Sequence, residues 1–346
     1  MIKNKFKKII SDDDQNFKNS LDELNNQIIK NSENIDKLTD KINKLEKENK
    51  KQNKIINSYN SLFNTIFLYY DLNPNSHLKN IQDLGYELLI FIDNICNKYD
   101  LQYWIDCGTL LGAIRHEDYI PWDDDLDGGM MRKDYNTFVE IFKDEIKLYN
   151  LKNLKFQFMK TTDENDNDIY SWIQIVYKHP DCEYTLMGID IFPFDFIKDI
   201  KQDNFQQKFI DATNEFNEGM ISKQSFDEIL KKYYATLNLS MEKQSYYIPG
   251  TEGVRGPGRL YSLKFLETEK LFPLKKLNFG KTSIYAPNNH KYYLEKIYGP
   301  KFLEIPKIIR NHNRVSKLST IENIDEILID SINDLKNANK NFTSQF

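Results

Sequence analysis

Cysteine is scarce in this sequence, and long apolar runs are missing from it. The chain has only Cys96, Cys107 and Cys182, too few and too scattered for a disulfide framework or a zinc site. It contains no run of about 18 apolar residues, so no transmembrane span is predicted. Its first residues lack the apolar segment of a secretory signal. These absences favour a soluble, cytoplasmic protein in a reducing environment.

An excess of basic charge is also missing. The chain has 47 basic and 52 acidic residues, a net charge of −5, so a nucleic-acid-coating protein is not expected. Arginine is rare, and an A/T-rich genome would explain that bias. The few guanidinium groups are nevertheless candidates for bidentate anion binding. They belong to Arg115, Arg132, Arg255, Arg259, Arg310 and Arg314.

The first 60 residues are polar, almost free of aromatic residues, and carry a heptad repeat. The 3-4 spacing continues for more than six heptads without Pro or Gly, which is typical of a coiled coil. Ile at one position and Leu at the other favour a parallel homodimer through residues 21–66. The alternatives are a lone helix folded back on the rest of the chain and a solvated polar stretch. The two positions are Leu21, Ile28, Ile35, Ile42, Asn49, Ile56 and Phe63, and Leu24, Asn31, Leu38, Leu45, Gln52, Tyr59 and Ile66.

Composition predicts the domain organisation. We expect a disordered N-terminus at 1–16, a coiled coil at 17–70 and a linker at 71–78, where Pro74 interrupts the helical pattern. Ordinary globular composition then predicts a catalytic domain at 79–320 with a full core. A C-terminal helix and tail are expected at 321–346.

An acidic cluster lies near the middle of the chain, at Asp123, Asp124, Asp125 and Asp127. Carboxylates this close repel one another without a cation. In a strand, Asp125 and Asp127 would point to the same side, and such hard oxygen ligands suit Mg²⁺ or Mn²⁺. We expect the third ligand to be Asp190, because it interrupts an apolar run that would not otherwise hold a carboxylate. Asp195 follows a proline in that run and is more typical of a turn or cap.

Two neighbouring features qualify this interpretation. Gly108-Thr109 predicts a turn that opens a short helix from Leu110, and such a turn can bind a phosphate. The cluster itself also fits the start of an EF-hand loop. Pro121, just before it, forbids the entering helix that an EF-hand requires, so the calcium loop is the weaker interpretation.

These motifs resemble the LicD family, which includes bacterial phosphocholine transferases and fukutin-related proteins. The first block is Gly-Thr-Leu-Leu-Gly-x-x-Arg-His followed by Ile-Pro-Trp-Asp-x-Asp-x-Asp, present here at 108–116 and 120–127. The segment Ile-Asp-Ile-Phe-Pro at 189–193 resembles the second block of the family. The third block has its counterpart in a segment that begins at Phe272 and ends at Gly299. The resemblance extends over about 80–315, with Gly128-Gly129 standing where aliphatic residues are more usual.

The resemblance implies an α/β (α+β) fold, with a nucleotidyltransferase-like mixed sheet flanked by helices. It implies transfer of a phospho-alcohol from a CDP-linked donor to a glycan hydroxyl, with release of CMP. Asp125, Asp127 and Asp190 match the catalytic, metal-binding carboxylates. Gly108 and Thr109 match the turn beneath the donor phosphates.

Several other residues near these motifs have more than one possible role. Arg115 is expected to bind the donor, although a structural ion pair with the aspartate loop fits equally well. Asp123 is expected near the donor, either as an outer partner of the metal or as a loop cap. His116 is more typical of a structural histidine, and Arg314 of a solvated surface. Arg255, Arg259 and Arg310 could line an anionic cleft.

Two competing functions remain. A nucleotidyltransferase of the same fold would release pyrophosphate instead of CMP. A non-catalytic coiled-coil scaffold would bind calcium at the aspartate cluster and would have no need for Asp190.

Overall fold

A single long helix occupies the N-terminal part of the chain. The computed structural model describes residues 2–69, 76–162, 168–253, 264–306 and 314–343. Helix α1 is Ile2–Tyr69, and neither Pro nor Gly interrupts it. It includes residues 2–16, where the sequence predicted disorder. Every side chain described in this helix is exposed, including the apolar heptad residues such as Ile35 and Ile42. The helix forms a unit separate from the mixed domain that follows.

The mixed domain begins with a buried helix and builds most of its sheet before residue 200. The helices here are α2 Ser76–Lys98, α3 Cys107–His116 and α4 Arg132–Leu148. The strands are β1 Tyr103–Ile105, β2 Leu126–Met131, β3 Leu154–Thr162, β4 Asp168–Tyr177 and β5 Met187–Ile197.

The remaining elements are shorter. The helices are α5 Phe205–Ile221, α6 Phe226–Leu237, α7 Thr268–Leu271, α8 His290–Tyr298, α9 Arg314–Leu318 and α10 Ile324–Thr343, with a 3₁₀ turn at Thr251–Gly253. The strands are β6 Leu239–Ser240, β7 Tyr246–Pro249, β8 Leu266–Glu267, β9 Lys275–Phe279 and β10 Thr282–Ala286.

The main sheet is mixed, with β5 at its centre. Its order is β1-β2-β5-β4-β3, and the later strands β6 and β7 pair with the C-terminal part of β5. Strand β2 runs parallel to β5, whereas the pairs β1–β2, β4–β5 and β3–β4 are antiparallel. Strands β9 and β10 form a separate hairpin. The expected mixed sheet flanked by helices is confirmed.

One face of the central strand is sealed by helix α2. Because side chains alternate along a strand, Met187, Ile189 and Ile191 share this face, and all three are buried. Gly85 of α2 approaches so closely that a Cβ built on it would lie 2.4 Å from Met187 Cε. Asp190 lies on the opposite face of the same strand. The core therefore fixes β5, and Asp190 lies on the face that α2 does not cover.

A second apolar cluster supports the C-terminal part of β5. Helices α5 and α6 pack against each other, and their apolar faces pack with Ile197, Leu239 and Ile248. None of the helices in the described ranges has the length and apolar character needed to cross a membrane.

Candidate active site

Two aspartates of the predicted set lie side by side on parallel strands. Asp127 of β2 and Asp190 of β5 are direct partners in the strand register. Directly paired residues point to the same face of a sheet, so both carboxylates face one site. Asp125 comes just before β2, which begins at Leu126. It therefore approaches the site from the preceding loop and not from the strand predicted for it.

The turn at the start of α3 holds Asp127 in place. The Gly108 N–H donates to Asp127 Oδ2 at 3.1 Å, and the Asp127 N–H donates to Thr109 Oγ1 at 2.8 Å. The Asp106 N–H donates to the Asp127 carbonyl at 2.9 Å. Gly108 and Thr109 thus lie directly at the carboxylate site, and their contact with a donor phosphate stays a prediction. The helix begins at Cys107, earlier than the predicted Leu110, because Asp106 caps it by accepting from the Cys107 N–H.

Burial and mutual repulsion together determine the electrostatics of this site. Burial, and then the charges of Asp125 and Asp190, hold the pKa of Asp127 well above its usual range. Burial and the neighbouring Asp125 likewise raise the pKa of Asp123. Buried carboxylates of this kind either take up protons or bind a cation. The donor set, composed of carboxylate oxygens, fits a hard divalent cation such as Mg²⁺ or Mn²⁺.

A second carboxylate group overlaps this site. Among the described residues, Asp123, Asp124 and Asp125 each place a carboxylate oxygen within 4.8 Å of the others. Asp124 is buried and accepts from the Arg314 N–H at 2.9 Å, so it caps the start of α9. This contact makes Asp124 a structural anchor of the loop.

Arg314 has a structural role that the sequence prediction missed. Solvated surface was the favoured prediction, but its guanidinium donates to the Asp124 carbonyl at 2.7 Å and to the Thr185 carbonyl at 3.3 Å. These bonds tie the aspartate loop to the segment before β5. Arg255, Arg259 and Arg310, proposed for an anionic cleft, lie outside the described residues.

Arg115 lies half-buried beside the acidic loop. Its guanidinium stacks over the Trp122 ring at 5.9 Å and donates to His116 Nε2 at 3.0 Å. Burial lowers the pKa of Arg115, and the negative charge of Asp123 opposes that shift. The attraction to Asp123 agrees with the structural alternative for Arg115, and donor binding stays a prediction. His116 has the structural contact expected of it.

Two glutamines next to Asp190 were not predicted. Gln174 of β4 is the direct strand partner of Asp190, and its Nε2 donates to Asp190 Oδ1 at 2.6 Å. Gln157 of β3 is the strand partner of Gln174, and its Nε2 donates to Gln174 Oε1 at 3.2 Å. Both glutamines alternate with apolar residues like any half-buried strand position, so only the pairing of the strands identifies them.

The glycine pair after the acidic cluster is required by packing. Gly128 and Gly129, which stand where aliphatic residues are more usual, both lie within β2. A Cβ on Gly129 would lie 2.5 Å from the Trp104 ring, and one on Gly128 would lie 2.9 Å from Ile191 Cδ1. The glycines admit the close approach of these side chains from each face of the strand.

Asp195 was predicted as a turn or cap, and that prediction is wrong. It lies inside β5, fully buried, and Arg132 donates to it with Nε at 2.8 Å and Nη2 at 3.0 Å. Arg132 also donates to both carboxylate oxygens of Glu252, and Tyr234 donates its hydroxyl proton to Asp195. The strand continues beyond Pro193 because β7 pairs with it there. The buried Asp195 carboxylate is tolerated because it is paired with this guanidinium and hydrogen-bonded by Tyr234.

A cavity of about 230 Å³ adjoins the site through Asp106 and Cys107. Phe192 and Phe194 of β5 line it from the face that also carries Asp190. Tyr293 contributes a further aromatic wall. The cavity has the size of a small organic group next to the carboxylates.

A mixed sheet with paired carboxylates on neighbouring strands, next to a Gly-Thr helix start, is the arrangement that the family resemblance implies. Residues 100–226 match the family described as LicD/FKTN/FKRP, nucleotidyltransferase domain. The resemblance inferred from the sequence is thus confirmed as a family match over this segment. The expected extension of the resemblance to residues 80–99 and 227–315 stays a prediction.

Several relatives share short stretches with this chain. Lipopolysaccharide cholinephosphotransferase LicD of Haemophilus influenzae is 41% identical over 66 residues, 19% of this chain and 25% of that protein. An uncharacterized protein of Rickettsia typhi is 36% identical over 112 residues, 32% of this chain and 34% of that protein. Human ribitol 5-phosphate transferase FKRP is 41% identical over 44 residues, 13% of this chain and 9% of that protein. The matches thus span between 9% and 34% of the length of these relatives, two of which are named as transferases.

Proposed function

We propose that this protein transfers a phospho-alcohol group from a CDP-linked donor to a glycan hydroxyl and releases CMP. The observation that carries the proposal is the direct pairing of Asp127 with Asp190 within a segment that matches the LicD family. The named relatives, one a cholinephosphotransferase and one a ribitol 5-phosphate transferase, support this reaction class.

Asp125, Asp127 and Asp190 are the residues we propose to hold Mg²⁺ or Mn²⁺. Burial and the charges of the neighbouring aspartates raise the pKa of Asp127. A bound cation would therefore stabilise the ionised form of these carboxylates. A bound divalent ion would neutralise charge that develops on the donor diphosphate. The Gly108 N–H and the Thr109 hydroxyl keep Asp127 oriented for this role.

The bond changes follow from the donor chemistry. The acceptor oxygen attacks the phosphorus that carries the alcohol, and the bond from that phosphorus to the CMP oxygen breaks. We propose that Asp190 orients the acceptor hydroxyl and takes its proton as the new bond forms. We propose that Arg115, half-buried beside Asp123, binds a donor phosphate when the substrate enters.

The small alcohol of the donor has a candidate location. The cavity lined by Phe192, Phe194 and Tyr293 adjoins Cys107, the residue before Gly108. A choline, ribitol or glycerol group is small enough for its volume of about 230 Å³. We propose that this cavity receives that group while the diphosphate lies at the carboxylates.

The exposed heptad face of α1 supports a further proposal about assembly. Apolar residues at the heptad positions are exposed in the single chain, with Leu38 at 59% and Ile42 at 55%. Burying such a seam against a second helix is the usual way to remove it from water. We propose a parallel homodimer through residues 21–66.

The function is tested with a panel of CDP-choline, CDP-ribitol and CDP-glycerol, incubated with Mg²⁺ and a mixture of glycan acceptors. CMP release that requires Mg²⁺ and is lost in Asp190→Asn supports the proposal. Asp144→Asn is the matched control, because Asp144 is an exposed carboxylate on α4 that pairs with the surface residue Lys147. Pyrophosphate release from nucleoside triphosphates, with CDP-alcohols left intact, would instead identify a nucleotidyltransferase.

A further inference from the structure

We propose that Gln174, oriented by Gln157, is a positioning residue that fixes the Asp190 carboxylate for cation binding. The inference rests on the proposed function, because it assigns Asp190 to the metal site. It adds two residues from strands that contribute no carboxylate to the proposed set.

The first step is the alignment of residues across the sheet. Asp127 pairs directly with Asp190, and Asp190 pairs directly with Gln174. Gln174 in turn pairs with Gln157. Direct partners share a face, so the four side chains form one row across β2, β5, β4 and β3. The row connects the two carboxylates at one end to two amides at the other.

The second step is the direction of the hydrogen bonds. An ionised carboxylate can only accept, so the amide that meets Asp190 must present its NH₂ group. Gln157 donates to the Gln174 carbonyl oxygen, which turns the Gln174 NH₂ group toward Asp190. Each amide therefore has a defined orientation. The last of these hydrogen bonds is donated by Gln174 Nε2 to Asp190 Oδ1 at 2.6 Å.

The third step is the effect on Asp190. The hydrogen bond from the Gln174 amide to one oxygen of Asp190 restricts rotation of the whole carboxylate. Less side-chain conformational entropy is therefore lost when a cation binds. The buried neighbours Ile173 and Ile175 fix β4 on the other face, so Gln174 itself has little freedom to move away. Loss of the amide should therefore weaken cation binding without unfolding the sheet.

The experiment measures Mn²⁺ binding to the full chain by the loss of the free-ion electron paramagnetic resonance signal, without donor or acceptor. Wild type is compared with Asp190→Asn, Gln174→Met and Gln157→Met. The matched control is Gln207→Met, which removes a similar amide-to-carboxylate bond, from Gln207 to Asp211, on the surface of α5. Circular dichroism confirms that each variant is folded.

We expect Gln174→Met to weaken Mn²⁺ binding by roughly tenfold, the usual scale for an outer partner of a ligand. Gln157→Met should weaken it by a smaller factor, and Gln207→Met should bind like wild type. In donor turnover, Gln174→Met should raise the Mg²⁺ concentration needed for half-maximal rate, with the KM for the donor at saturating Mg²⁺ less affected.

The outcomes separate the two levels of the argument. Weak binding in Asp190→Asn with unchanged binding in both glutamine variants would overturn the role of Gln174 and leave the metal site intact. No Mn²⁺ binding by wild type, or undiminished binding by Asp190→Asn, would overturn the proposed metal site and this inference together. Should Gln174→Met fail to fold, Gln157→Met decides, since it acts only on the orientation of Gln174.

Discussion

Asp127 and Asp190 lie side by side on two parallel strands, although 63 positions separate them in the sequence. The pairing depends on β2 and β5 being neighbours, with helix α2 sealing the opposite face of β5. Two carboxylates in such a position repel each other, and this repulsion is the physical basis of the proposed cation site.

Asp127→Asn should lower the transfer activity and raise the stability of the protein without metal. We expect transfer to fall by more than about 100-fold, because a ligand is lost and not merely an outer partner. In EDTA the same variant should be more stable than wild type by about 1 kcal/mol, the ordinary scale of one substitution, since one repelling charge is gone. Asn keeps an oxygen that can accept from the Gly108 N–H. The CMP-release assay measures the loss of transfer, and thermal unfolding with and without Mg²⁺ measures the change in stability.

Its control is Asp144→Asn on the surface of α4. Wild type and the control should gain thermal stability when Mg²⁺ is added, whereas Asp127→Asn should gain little. Equal Mg²⁺ stabilisation in all three proteins would contradict the assignment of Asp127.

Thr109→Val should damage the site through the backbone of β2. The buried Thr109 hydroxyl accepts from the Asp127 N–H at 2.8 Å, and valine keeps the shape but removes the acceptor. An N–H left without a partner costs about 1–3 kcal/mol, so urea unfolding should show a loss of that size. Thr109→Ser, which retains the hydroxyl, should lose less. Equal stability of the valine and serine variants would show that this hydrogen bond makes no net contribution to the free energy of unfolding.

The acidic site could be predicted from the sequence because a charged residue within an apolar strand is easily recognised. Asp190 interrupts an apolar run, and the aspartates at 123–127 repel one another at any local geometry. The mixed sheet followed from the family resemblance. Gln174 and Gln157 were missed because an amide in an alternating strand is unremarkable until its neighbouring strands are known. Their significance is a property of pairing and not of local pattern.

Long-range ion pairing explains the error at Asp195. The proline before it suggested a turn, but its partner Arg132 lies 63 residues away and Glu252 a further 57 residues beyond Asp195. No local pattern reports such a contact. The same limitation applies to Arg314, which reaches Asp124 across 190 positions. Scarcity of arginine was a useful clue, but it did not distinguish anion binding from a structural ion pair.

Asp106 should make stability depend on pH. Burial raises the pKa of Asp106 to about 6 in the folded protein, against about 3.9 in an unfolded chain. The folded state therefore binds more protons between these values, and stability falls as the pH rises through this window. Asp106→Asn keeps an oxygen for the Cys107 N–H and removes the titration.

Urea unfolding in EDTA at several pH values tests this. At pH 7.5 Asp106→Asn should be more stable than wild type by on the order of 2 kcal/mol, and near pH 4.5 the difference should shrink. A difference that stays constant with pH would contradict the titration of Asp106.

The long helix should control the oligomeric state. Ile35→Asp combined with Ile42→Asp places charges in the proposed seam, so light scattering should show the mass of a monomer in place of a dimer. Lys47→Asp, on the outward face of the heptad, is the control and should remain dimeric. Wild type with the mass of a single chain would refute the homodimer, and catalysis should survive in the monomeric variant.

The central claim concerns which carboxylates bind the cation, so the most direct measurement is the position of Mn²⁺ by anomalous X-ray scattering from crystals grown with CDP. The account predicts a peak coordinated by Asp127 and Asp190, with Asp125 beside them. A peak held by Asp123, Asp124 and Asp125 alone, the group that lies within 4.8 Å of one another, would contradict it.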